Sequence, residues 1–177
     1  MQYTATYRSP LGGITLSSDG EHLCGLWFDG GKYFAATLDA EHHQWDLPVF
    51  EETRRWLDRY FQGGVPDFTP PLAPSGSPFR LAVWDMLLQI PRGQTATYGE
   101  IAAALARAQG RERMSAQAVG GAVGHNPISL IIPCHRVVGR DGSLTGYAGG
   151  IAKKAALLAL ERVEMGRLFL PQRGTAL

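Results

Sequence analysis

Residues 97–124 read TYGEIAAALARAQGRERMSAQAVGGAVG, two helical patterns separated by a polar break. Thr97 and Glu100 form a capping box, each side chain answering an amide left open at a helix start, and they predict a helix over 98–108. Gln109–Arg113 reads as a polar turn, and a second helix is expected from Ser115 to about Gly124. Two short helices across a tight turn make the kind of corner that DNA-binding proteins lay in a groove, although many such corners never touch DNA. The second helix is unusual. Ala116, Ala118, Gly120, Gly121 and Ala122 leave it almost bare, and an interior glycine costs about 1 kcal/mol against alanine. Either another helix packs very close to it, or a partner's backbone does, such as the floor of a nucleic-acid groove.

Upstream, Ser77 caps a further helix that has Pro78 in its first turn and Phe79, Val83, Trp84, Leu87 and Leu88 on one face. It follows GVPDFTPPLAPSGSP, residues 64–78, whose five prolines suit a linker or an extended crossing. This puts a domain boundary between 1–77 and 78–177. In the first half, Tyr3–Tyr7, Ile14–Ser18 and Leu23–Phe28 read as short strands divided by Gly12-Gly13 and Asp19-Gly20. An amphipathic helix follows. Val49, Thr53, Trp56 and Tyr60 form one stripe, Phe50, Leu57 and Phe61 lie beside it, Pro48 opens it and Gly63-Gly64 close it.

The chain has 177 residues, 45% of them hydrophobic, enough for a real core. Its first residues show no basic stretch followed by an apolar run, and no segment approaches the roughly 20 apolar residues of a membrane span. The expectation is a soluble cytoplasmic protein. The net charge of +1 hides an asymmetry: residues 1–78 carry five Lys/Arg against ten Asp/Glu, and residues 79–177 carry twelve against six. A basic half suits a polyanion; two complementary faces would give the same pattern. Only Cys24 and Cys134 are present, neither in a C-x-x-C pair, and a reducing compartment argues against a disulfide. His22, Cys24, His42 and His43 raise the question of a metal, but their spacing matches no closed zinc motif, so none is expected.

Chemistry concentrates in Asn126-Pro127-Ile128-Ser129-Leu130-Ile131-Ile132-Pro133-Cys134-His135-Arg136-Val137-Val138-Gly139. Ile128–Ile132 is an apolar, strand-like run, and Pro133 stiffens the backbone entering Cys134. A lone thiol after such a run is ordinarily buried and inert. Here an imidazole and a guanidinium follow at once, and both could lower the thiol pKa toward the reactive thiolate. On an extended chain neighbouring side chains point apart, so His135 would reach the sulfur through a water.

Pro133-Cys134-His135-Arg136-Val137, with Asn126-Pro127 before it and Gly146-Tyr147-Ala148-Gly149-Gly150 after it, resembles the methylated-DNA–protein-cysteine methyltransferase family, the O6-alkylguanine-DNA alkyltransferases. The likeness runs over residues 78–165; the N-terminal half agrees in size and strand–helix order but carries no motif. It implies an α+β protein: a small N-terminal antiparallel sheet with a helix, ribonuclease H-like, then a mostly helical winged helix-turn-helix domain. It implies single-turnover repair without a cofactor, in which an alkyl group passes from O6-alkylguanine, and from O4-alkylthymine, to the protein's own cysteine. Cys134 would be the acceptor, His135 its base, Glu161 the carboxylate orienting that base, and Asn126 a brace. Tyr98 would hydrogen-bond the flipped guanine and assist its departure. Val137, Tyr147, Ala148 and Gly149 would line the base. Ser115, Gln117, Ala118, Gly121 and Arg136 would contact double-stranded DNA through its minor groove, the protein being a monomer able to self-associate there. Gln117 departs from the family, which usually has an arginine there to fill the gap left by the flipped base; weaker extrusion or affinity is expected.

Without the resemblance, Tyr98 would be a packed helix residue and Glu161 a solvated charge. Two other functions compete: a lesion-binding module without chemistry, against which the presence of Cys134 argues, and a cysteine hydrolase, which the adjacency of Cys134 and His135 disfavours.

Overall fold

The computed structural model describes residues 1–171. The last six residues of the expected C-terminal domain, 172–177, lie outside the described residues. The chain forms two compact units: Met1–Ser75 with Pro127–Ile131, and Gly76–Asn126 with Ile132 onward.

In the first unit β1 (Gln2–Ser9), β2 (Gly12–Ser18) and β3 (Leu23–Phe28) form an antiparallel meander, joined by the two glycine turns the sequence marks. A fourth strand, β4 (His42–Gln44), pairs parallel with β1, so the sheet order is β3-β2-β1-β4 and the sheet is mixed. Helix α1 (Pro48–Phe61) buries Val49, Phe50, Thr53, Trp56, Leu57 and Tyr60, the stripe its spacing predicts. Residues 71–73 are no free linker. Leu23 donates to the Pro71 carbonyl at 2.7 Å and accepts from Ala73 at 2.9 Å.

The run Ile128–Ile132 is not a strand. Leu26 donates to the Pro127 carbonyl and accepts from Ser129, each at 2.9 Å, a single bridge on the edge of β3. The chain then turns through Leu130 at φ +71°. Apolar side chains here report burial, not extension: all five residues are buried. That bridge is why Pro127–Ile131, expected in the C-terminal domain, belongs to the first unit.

The second unit packs α2 (Pro78–Leu87), α3 (Tyr98–Ala108) and α4 (Ala116–Gly124) around Val83, Trp84, Leu87, Ile101, Leu105, Val119 and Val123. Ser77, Thr97 and Ser115 cap these helices in turn, and the Thr97–Glu100 capping box is complete. Trp84 Nε1 donates to the Ala122 carbonyl at 2.8 Å, pinning α4 to α2. Beyond α4 come a single 3₁₀ turn (Cys134–Arg136), then β6 (Val137–Val138), paired parallel with β5 (Ala96–Thr97), and finally α5 (Ile151–Leu160).

The bare helix divides. A Cβ on Gly120 would meet the Tyr98 ring at 3.6 Å, ordinary contact, whereas one on Gly121 would meet nothing within 4 Å. Gly120 therefore belongs to internal packing, and the smooth outer surface is formed by exposed Ala116, Gln117, Ala118 and Gly121.

Candidate active site

Pro133, at φ −82°, feeds the 3₁₀ turn, and Arg136 N–H closes it on the Pro133 carbonyl at 3.0 Å. Cys134 is therefore not on extended chain, as the sequence suggested. A 3₁₀ turn has three residues per revolution, so neighbouring side chains still diverge, and His135 does not face the sulfur. Asn126 closes the loop preceding the turn: its Nδ2 donates to the Ile132 carbonyl at 2.8 Å, and its side chain also hydrogen-bonds Cys134.

His135 is wholly buried. Its Nε2 meets Glu161 Oε1 at 2.7 Å, while Nδ1 is buried without a hydrogen-bond partner among the described residues. With Glu161 ionised, Nε2 carries the proton and Nδ1 presents a lone pair, the tautomer of a base held by a carboxylate. Burial lowers the His135 pKa against the opposing pull of Glu161, so the ring rests neutral.

Arg136 corrects an expectation. It was expected to contact DNA, but Nε donates to Glu161 Oε2 at 2.8 Å, Nη2 to Oε1 at 3.0 Å and Nη1 to the Ile90 carbonyl at 2.6 Å. The guanidinium forms a two-pronged clamp on the carboxylate that holds His135. Burial alone would raise the Glu161 pKa, but the hydrogen bonds and charges of His135 and Arg136 outweigh it and hold the carboxyl well below the usual range.

The thiol also differs from expectation. Burial pushes the Cys134 pKa up; Asn126, the charge of Lys154 and nearby backbone amides pull against it, and burial prevails. Neither His135 nor Arg136 supplies the expected lowering, since the imidazole is neutral and the guanidinium is aimed at Glu161. The sulfur rests as a thiol, to be ionised on demand.

Tyr98 opens α3 with its hydroxyl on the Thr145 carbonyl at 3.0 Å, and burial raises its pKa, so it remains a donor. Tyr147 is buried with its ring edge-on to His135, centroids 6.4 Å apart, and Ala148 and Gly149 follow it at half-buried positions. Val137 is buried beside the 3₁₀ turn. Lys154 is the residue that reading the sequence missed: it is wholly buried, with Nζ on the Thr145 carbonyl at 2.7 Å. A signal was present, since Lys154, Leu157 and Leu158 stand at i, i+3 and i+4, on the buried face of α5.

At the N-terminal histidines, His22 Nδ1 lies 3.2 Å from Asp19 Oδ2, and His42 Nδ1 lies 2.8 Å from the Asp39 carbonyl. Among the described residues no group of three or more His, Cys, Asp or Glu could hold a metal ion, and no helix is long and apolar enough to cross a membrane.

Two family models match the chain: the 6-O-methylguanine DNA methyltransferase ribonuclease-like domain over residues 2–74 and the DNA binding domain over residues 78–163. A methylated-DNA–protein-cysteine methyltransferase of Haemophilus influenzae is 43% identical, the match covering 91% of this chain and 87% of that one. One from Methanosarcina acetivorans is 42% identical over 90% and 97% of the two chains. Among solved structures, an O6-methylguanine methyltransferase of Mycobacterium tuberculosis aligns with a TM-score of 0.77 at 39% identity, covering 98% and 97%. A structure of the same organism's protein in complex with DNA aligns at 0.78 and 40%, covering 90% and 92%.

Proposed function

The chain belongs to the 6-O-methylguanine DNA methyltransferase family, and on that premise we propose that it repairs DNA by moving an alkyl group from O6-alkylguanine onto Cys134. One observation carries the reading: a buried cysteine beside a neutral histidine whose Nε2 is fixed by Glu161 and whose Nδ1 is left to accept a proton. That is the logic of a triad without direct contact between base and nucleophile.

The Cys134 S–H proton passes through a water to His135 Nδ1, and Glu161, clamped by Arg136, balances the imidazolium. The thiolate attacks the alkyl carbon; an S–C bond forms as the C–O6 bond breaks and its electron pair stays on the guanine. Tyr98 offsets that charge by donating a hydrogen bond to the leaving base. The product is a thioether, which water does not cleave, so each molecule acts once.

The target carbon lies inside the stack, so the nucleotide must rotate out to reach Cys134. The helix pair α3 and α4 serves as a helix-turn-helix, with Ser115, Gln117, Ala118 and the bare Gly121 against the minor groove. Val137, Tyr147, Ala148 and Gly149 receive the extruded base. O4-alkylthymine is a second substrate, and one monomer per lesion suffices.

The test counts molecules. Lesion-bearing duplex, in tenfold excess over protein, should lose one lesion per protein and no more; continued turnover contradicts the reading. A lesion-binding module without chemistry predicts none lost and bound DNA retained.

A further inference from the structure

An ammonium loses its hydration in a protein interior, so lysine is rarely buried there. Lys154 is among the largest fully enclosed side chains in the protein. Among the described residues no carboxylate pairs with it; Nζ donates to the Thr145 carbonyl at 2.7 Å. That same oxygen receives the Tyr98 hydroxyl at 3.0 Å, so donors from α5 and α3 converge on one backbone atom. The segment leaving it is tightly shaped: Gly146 sits at φ +72°, and a Cβ there would stand 2.8 Å from the Tyr98 oxygen. A buried cation without a counter-charge costs several kcal/mol, and the anion that arises in its neighbourhood is the Cys134 thiolate, with which it interacts electrostatically.

We propose that Lys154 is a positioning residue for alkyl transfer: its ammonium is the standing charge against which the Cys134 thiolate forms, and its bond to Thr145 holds the loop carrying Tyr147 and Ala148. The inference rests on the alkyl-transfer reading and adds a component to that site. The titratable groups around Lys154 agree with it. Cys134 and His135 face it from the 3₁₀ turn, and Tyr98 shares its acceptor from α3. Its charge also disfavours a proton on His135, leaving Nδ1 ready to accept one. Glu161 is committed to His135 and Arg136. Burial pushes Lys154 down to about 8, with Cys134 pulling it back up, so the ammonium survives at neutral pH.

The test compares wild type, Lys154→Met and Lys154→Arg for single-turnover methyl transfer from O6-methylguanine duplex between pH 6 and 10, with lesion affinity and thermal unfolding measured alongside. In Lys154→Met the pH midpoint of the rate should rise by about one unit, a roughly tenfold loss at pH 7, with affinity retained. Lys154→Arg should recover most of the rate. A Lys154→Met profile superposing on wild type overturns the proposal, as does an Arg variant as slow as the Met variant. Should the Met variant not fold, [ε-¹³C]lysine NMR of wild type decides. Methylating Cys134 removes the partner anion, so the Lys154 midpoint should fall, since electrostatic linkage is reciprocal. Equal midpoints before and after overturn the proposal. A wild type that takes up no methyl group overturns the parent reading and this one with it; one that does, beside an unaltered Met profile, overturns this one alone.

Discussion

Cys24 on β3 and Cys134 on the 3₁₀ turn are 7% and 5% exposed, and burial raises the pKa of both thiols. Their neighbours differ in sign. Around Cys24 stand the carboxylates of Asp19 and Asp39, which push the pKa further up, and its sulfur contacts the His22 carbonyl at 3.7 Å. Around Cys134 stand the Asn126 side chain, backbone amides and the Lys154 charge, all favouring the thiolate, with a neutral base beside it. Burial does not separate a reactive cysteine from an inert one. The charge of the surrounding shell, and a place for the proton, does.

The largest effect expected from disturbing that contrast comes from the base. His135→Gln should slow methyl transfer by about 10²–10⁴, the usual worth of a positioned base, with lesion-DNA affinity unchanged. A rate within threefold of wild type would mean that His135 plays no part in ionising Cys134.

The clamp on Glu161 comes next. Arg136→Met strips the buried carboxylate of its strongest partner and should cost about 3 kcal/mol in denaturant unfolding, the scale for half of a buried ion pair. Arg136 also depresses the His135 pKa. The same variant should therefore move the acid limb of the pH–rate profile upward, and an unmoved limb would argue against the clamp.

Acidification tests the same pair in wild type. His135 in the folded state lies below its ordinary 6.5 and Glu161 below its ordinary 4.5. Beneath each ordinary value the unfolded chain takes up a proton that the folded protein refuses, so stability falls as pH drops. The melting temperature should decline from about pH 6.5 downward and more steeply below 4.5; in Glu161→Gln the steeper part should flatten.

Smaller effects are expected away from the chemistry. Gln117→Arg should tighten duplex binding about fivefold and steepen its salt dependence by roughly one unit, as one more phosphate contact would. Asp19→Asn should speed iodoacetamide modification of Cys24 by a few-fold, since one carboxylate opposing its thiolate is gone.

Much of this was legible in the chain. The three N-terminal strands, the α1 stripe, the Thr97 capping box and the Ser115 cap are local signals, and local chemistry decides them. β4 was not, because His42–Gln44 is exposed, polar and three residues long; its strand character comes entirely from pairing with β1. The bend at Leu130 was hidden because apolarity tells a reader what is buried, not how the backbone runs. Cys134, His135 and Glu161 could be named from the motif, but the direction of Arg136 could not, since its partner lies 25 residues away. Lys154 was overlooked for the opposite reason: its place on the apolar face of α5 was in view, but next to Lys153 it reads as a solvated pair.

The measurement that bears most directly on the account is the mass of two peptides. After reaction with O6-methylguanine duplex and proteolysis, the peptide bearing Cys134 should gain one methyl group per protein molecule, and the peptide bearing Cys24 none. A methyl group on Cys24, or lesions lost while Cys134 stays unmodified, would contradict it.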